Sequence, residues 1–219
     1  MKRIFTLLIA LTSLVAAAQT EAHGYDPEAG KILKELAKKY KSYTTMQASI
    51  TYKMINKDAD IDQSQDIKIK LEGNKFRMDM EGLGLILCNG TDIWNLNLED
   101  EEGSINTYEP SEEDEITPTN VFTMYEKGFF YIVGEEFKID NKNYLSIDLA
   151  PEDKTKDYFK IRMFVDPNEK YVKRMRVFAK DGTHFIYDVD SFQNNNKFDA
   201  NTFEFSASEF PNIEIEDLR

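Results

Sequence analysis

The chain has 219 residues, with 27 Lys and Arg against 40 Asp and Glu, a formal net charge of −13, one cysteine and one tryptophan. So acidic a composition, with no basic patch visible along the sequence, argues against nucleic acid and anionic membrane surfaces as direct partners. One cysteine excludes an intramolecular disulfide, so stability has to come from an apolar core, for which 15 Phe and 11 Tyr supply material.

Residues 1–18 read as an export signal. Lys2 and Arg3 form its positive start, Ile4 to Val15 its apolar run, and Ala16-Ala17-Ala18 its cleavage site before Gln19. The apolar run is too short to span a bilayer comfortably. Cleavage leaves 25 basic against 40 acidic residues, a net charge of −15. The expected product is a soluble periplasmic chain with a flexible tail at 19–25 and one domain at 26–219.

Asp26-Pro27-Glu28 is a helix start: a capping Asp, Pro at the first helical position and an acid in the first turn. Ile32, Leu33, Leu36, Ala37 and Tyr40 then recur at helical spacing, opposite Lys34, Glu35, Lys38 and Lys39. From Met46 the period becomes two: Met46, Ala48, Ile50, Tyr52 and Met54 alternate with polar residues, as in a half-buried strand. Ile67, Ile69 and Leu71 repeat this, Gly73-Asn74 makes a tight turn, and Phe76, Met78 and Met80 lead back. Leu85–Cys88, the turn Asn89-Gly90, and Thr91–Leu98 follow, with Trp94, Leu96 and Leu98 on one face.

Further strands are expected at 104–108, 136–139, 144–150, 158–165, 171–179 and 183–192, about eleven in all. Short turns between them imply a mainly β, meandering antiparallel sheet that must curl to bury its apolar face. Residues 109–134 break the rhythm. Glu112–Glu115 is an acidic loop, Thr117-Pro118 starts a second short helix through Val121, Phe122, Met124 and Tyr125, and Phe129–Val133 is an apolar run. An insertion of this length serves as a lid or as a plug for the core.

Catalytic chemistry is not legible. His23 and His184 lie far apart, and no HExxH, CxxC, GxSxG or phosphate-binding glycine loop occurs. The acidic runs at 99–102 and 112–115 lack the spacing of a calcium loop. No enzyme, cofactor or metal is therefore expected. Cys88 follows Leu87 some seventy residues beyond the signal, so it is no lipid anchor, and it reads as a small buried hydrophobe at a strand end. The methionines interleaved with Phe and Ile on strand faces suit either flexible acyl chains or a filled core.

In order along the chain, five segments resemble the outer-membrane lipoprotein carrier family, LolA. They are Tyr40-Lys-Ser-Tyr-Thr-Thr-Met-Gln-Ala-Ser-Ile-Thr-Tyr52, Asn74-Lys-Phe-Arg-Met-Asp79, Asn89-Gly-Thr-Asp-Ile-Trp-Asn-Leu-Asn97, Thr117-Pro-Thr-Asn-Val-Phe122 and Phe198-Asp-Ala-Asn-Thr-Phe-Glu-Phe205. The likeness runs from about Asp26 to Arg219. It implies an unclosed half-barrel of eleven antiparallel strands with helices covering the concave face. It also implies a periplasmic chaperone that takes acylated lipoproteins from an inner-membrane ABC transporter to an outer-membrane acceptor, as a monomer.

The cavity is then expected to be lined by Ile50, Tyr52, Met54, Ile67, Ile69, Leu71, Phe76, Met78, Met80, Trp94 and Leu96, under a lid of Phe122, Met124 and Phe129. One departure stands out. Well-known members carry an arginine before the first hairpin turn that latches the lid; here that position is Glu72, and alternation puts Arg77 on the polar face. The alternative is a lipid- or lipoprotein-sensing or scaffolding module of the cell envelope. An anchored receptor would need cysteine where Gln19 stands, and a stress regulator would need a second domain.

Overall fold

The computed structural model describes residues 24–109, 125 and 128–219. The expected export signal, the second helix, and lid residues Phe122 and Met124 lie outside these. Helix α1 spans Pro27–Lys41. Asp26 caps it: Oδ1 accepts from the backbone N–H groups of Glu28 at 2.8 Å and Ala29 at 3.3 Å. These bonds hold the Asp26 carboxyl below its usual range. Lys38, Lys39 and Lys41 in the last turn complement the helix dipole.

The helix buries Ala29, Leu33, Leu36, Ala37 and Tyr40 and is fastened at both ends. At its start, Asp26 N donates to Tyr131 O at 3.0 Å and Val133 N to Asp26 Oδ2 at 3.3 Å. At its end, Val172 N donates to the Tyr40 hydroxyl at 3.1 Å, and burial pushes that hydroxyl's pKa up to about 12. Such fastening makes α1 a fixed wall.

Twelve strands follow: β1 Thr45–Asn56, β2 Ile61–Glu72, β3 Lys75–Met80, β4 Gly84–Cys88, β5 Asp92–Asn97, β6 Glu102–Thr107, β7 Phe129–Ile139, β8 Lys142–Pro151, β9 Tyr158–Asp166, β10 Tyr171–Ala179, β11 His184–Asn194 and β12 Glu214–Asp217. They form one unclosed sheet in the order β12-β6-β5-β4-β3-β2-β1-β11-β10-β9-β8-β7.

Eleven strands were expected, and the twelfth corrects that count. β12 has only four residues, three of them acidic, so it carries no alternation to read, and it runs parallel to β6 where an all-antiparallel sheet was expected. The second correction is Phe129–Val133. Expected within an insertion, this run is the first half of β7 and pairs with β8 through Phe129↔Pro151 and Val133↔Ile147. Its continuous apolar character hid the period of two.

The main core lies between α1 and β7–β11: Leu33 and Leu36 meet Ile147, Leu149, Ile161, Met163, Met175 and Val177. The β9–β10 turn is held by Asp166, whose buried carboxylate accepts from Asn168 N and Glu169 N at 2.8 Å and pairs with Lys142 at 2.7 Å. Burial pushes its pKa up, but the ammonium and the two N–H groups outweigh it, and the net shift is downward. A depressed folded pKa stabilises above the unfolded value of about 3.9 and is lost as pH falls through the folded one. Asp166→Ala is expected to cost about 1–3 kcal/mol at pH 7 and less at pH 2, read from urea melts at the two pH values.

Candidate functional site

Directly opposed residues of an antiparallel pair share a face, so the register sorts every side chain of β1–β5. The inner face, the one carrying α1, is traced through Tyr52↔Tyr187 and Met54↔Phe185, whose β11 partners pack on the main core. Across the sheet it continues as Ile50↔Ile67↔Met80, then Ala48↔Ile69↔Met78↔Ile86, then Met46↔Leu71↔Phe76↔Cys88↔Ile93. Nine of the eleven residues expected to line a cavity therefore stand together on this face. Leu71, Phe76 and Cys88 are buried as a tight cluster at one end. Ile50, Tyr52, Met54, Ile67, Ile69, Met78 and Met80 are only half-buried.

The strip is a property of the sequence pattern. Gln47, Ser49, Thr51, Lys53, Lys68 and Lys70 alternate with these apolar residues and take the outer face. Beside the strip, on β7–β11, the same inner face is filled by α1. Among the described residues, no second helix packs on β1–β4. What remains is an apolar surface of unbranched Met and branched Ile, adaptable in shape and without a charged group.

Trp94 and Leu96 are on the other side. Their register partners are Leu87 and Leu85, and all four belong to an outer-face cluster covered by Phe205, Phe210, Ile213 and Ile215. Leu85-Ile-Leu-Cys88 is apolar on both faces, so its sequence could not reveal which side β5 would join. The overlooked signal is Phe203–Ile215, whose apolar residues strap the outer face. Gly103 makes room for it: a Cβ there would lie 2.7 Å from Leu96 Cδ2 and 2.8 Å from Ile215 Cδ1. The third displaced residue is Phe129, expected in a lid. It is a buried wall residue of β7, its ring 6.5 Å from that of Tyr158.

Trp94, the sole tryptophan, thus reports on the strap. An apolar ligand added to the protein is expected to leave its emission unchanged, whereas Phe210→Ala is expected to shift emission to the red as water reaches the ring. A ligand-induced shift equal to that of the variant would contradict this placement.

Residues 42–206 match the family profile described as outer membrane lipoprotein carrier protein LolA. The chain belongs to the LolA family. No curated protein sequence matches it. Among solved structures, an uncharacterized conserved protein from Thermus thermophilus is 9% identical with a TM-score of 0.57, covering 87% of this chain and 99% of its own. Mycobacterium tuberculosis lipoprotein LppX is 11% identical with a TM-score of 0.51, covering 80% and 98%. At such identities the likeness shows the fold alone.

Three side chains singled out in the sequence have definite places in this LolA-family chain. Glu72, at the position of the expected latch, is exposed at the end of β2. Arg77 lies on the outer face, held by Asp79 at 3.1 Å and by Glu209 of the strap at 2.7 Å. Cys88 is 0% exposed; Gly90 N donates to its Sγ at 3.4 Å, and burial pushes the thiol pKa up, so it stays a neutral thiol. A cleft of about 370 Å3 opens at the end of α1, lined by Tyr40, Tyr43, Tyr144, Tyr171 and Phe192 among others. None of the residues expected to hold lipid lines it.

Proposed function

We propose that the protein is a periplasmic carrier that holds the acyl chains of lipoproteins against the inner face of β1–β4. The observation that carries this reading is the half-buried strip from Met54 to Met80, left beside a fully packed core in a chain of the LolA family. A filled core would have buried those residues as it buried Ile147 and Leu149. The strip offers no nucleophile, acid–base pair or metal-ligand cluster, and carriage needs none.

The physical task is one of shielding. Each acyl methylene kept from water is worth about 0.8 kcal/mol, so a lipoprotein with two or three chains does not leave a bilayer unaided. The carrier has to supply apolar contact without binding so tightly that release fails, and flexible methionines meet that need better than a rigid pocket. Because α1 is fastened at both ends, opening and closing do not involve it. With Glu72 in place of the latch arginine, an arginine-gated lid is not part of the proposal. The partners are acylated lipoproteins, an inner-membrane lipoprotein-releasing ABC transporter and an outer-membrane acceptor; the carrier acts as a monomer without a cofactor.

The test is depletion of the protein in its own cells, followed by fractionation of the membranes. Lipoproteins bound for the outer membrane should accumulate in the inner one, and the tagged protein should co-purify with acylated lipoprotein. Unchanged sorting, together with a purified protein that carries no acyl chain, would overturn the reading.

A further inference from the structure

The charge that composition spreads along the sequence is concentrated by the fold. On the outer face of β8–β11, register brings Asp148, Arg162 and Arg176 into one row, and Phe164, Arg174 and Asp188 into the next. Lys160 and Phe178 are partners in the row beyond. Four cations, Lys160, Arg162, Arg174 and Arg176, thus share this patch with two carboxylates, in a protein whose acids outnumber its bases. Asp66 and Asp190 mark its margin, both hydrogen-bonded to Thr51.

The two carboxylates are already committed. Asp148 takes Arg162 through two bonds of 2.5 and 2.7 Å, and Asp188 takes Arg174 in the same bidentate way. Arg176 has no carboxylate among the described residues. Its Nη2 meets His184 Nδ1 at 2.5 Å, and its guanidinium lies over the Phe178 ring at 5.0 Å. Lys160 approaches the same ring at 4.6 Å and shares the Asp148 carboxylate with Arg162 only from 3.8 Å. Burial and the neighbouring Arg176, Lys57 and Lys160 charges lower the His184 pKa, so the imidazole serves as a neutral acceptor. Next to this group Phe159 is 49% exposed, its ring 6.1 Å from that of Phe178.

We propose that this patch docks the protein on an anionic phospholipid surface, with Arg176 and Lys160 meeting headgroup phosphates and Phe159 entering the interface. Cations in excess of their carboxylates, beside an exposed ring, are the chemistry by which proteins settle at an anionic bilayer surface. The net charge, from which the sequence argues against anionic membrane surfaces, opposes approach, but beyond about 8 Å it is screened at physiological salt, and the patch that only the register assembles governs contact. The site lies on the opposite face from the acyl-chain strip and does not depend on that strip's function.

The experiment is sedimentation of the full exported chain with vesicles of phosphatidylcholine alone, or mixed with phosphatidylglycerol. Retention is expected only with phosphatidylglycerol and is expected to weaken with salt. Arg176→Gln should lower the vesicle affinity about fivefold, Arg176→Lys should restore most of it, and Phe159→Ser should lower it as well. Lys34→Gln, on the exposed side of α1, should change nothing. Three results would overturn the proposal: no retention by anionic vesicles, equal losses for Lys34→Gln and Arg176→Gln, or Arg176-dependent binding of inorganic phosphate or an acidic peptide without vesicle binding. Met78→Glu should keep vesicle retention, which separates failure of this site from failure of the carrier reading.

Discussion

A Met78→Glu variant is expected to bind a fluorescent fatty acid about 50-fold or more weakly than the parent protein, with its melting temperature little changed. Met78 is half-buried in the middle of the inner strip, between Ile69 on β2 and Ile86 on β4. A carboxylate there can stay solvated in the free protein, so folding tolerates it. An acyl chain laid across the strip would have to desolvate that charge or lose the contacts of about three methylenes, each worth about 0.8 kcal/mol. The same change at Asp79, the next residue but on the outer face, leaves a carboxylate in place as Asp79→Glu and should not alter binding. Equal effects at 78 and 79 would show that the register does not decide the site.

Leu36→Ala is expected to lower stability by about 2–5 kcal/mol, read from urea denaturation. Leu36 is 0% exposed and sits at the centre of the α1 face that packs on β8–β10. Its removal leaves a cavity that the surrounding β-sheet residues, fixed by their own ladders, cannot fill. Fatty-acid affinity of the protein that remains folded should hold. If α1 were instead a movable cover, the substitution would loosen it at little cost in stability and would change ligand exchange.

These expectations rest on how much of the molecule alternation alone makes visible. Helix α1 was legible because Asp26-Pro27 fixes its start and five apolar residues share its stripe. On β1–β3, one face is apolar and the other polar, so Ile50, Met54, Ile69 and Met78 could be placed by counting in twos. Alternation does not assign a side where both faces of a strand are apolar. Leu85–Cys88 packs Leu85 and Leu87 under the strap and Ile86 and Cys88 toward the inner face. With no polar residue on β4 to mark a side, its sequence does not show that Trp94 and Leu96 join the outer face.

Phe129–Val133 is obscured in the same way, because its five residues are all apolar or aromatic and none marks a polar face. β12 was invisible for the opposite reason. Its four residues hold one apolar side chain, and only pairing with β6 makes them a strand. The cationic patch has no linear signature, since Lys160 and Arg162 on β9 and Arg174 and Arg176 on β10 are brought together by the register alone.

The most direct measurement is site-specific photocrosslinking with a palmitoylated lipoprotein as cargo. A photoreactive residue would be placed singly at Ile67, Ile69 or Met78 on the inner face, and at Trp94 or Leu96 on the outer one. Crosslinking through the acyl chain from the three inner positions, and none from the two outer ones, is the result this account predicts. Adducts from Trp94 or Leu96, or none from the inner positions while cargo is bound, would contradict it.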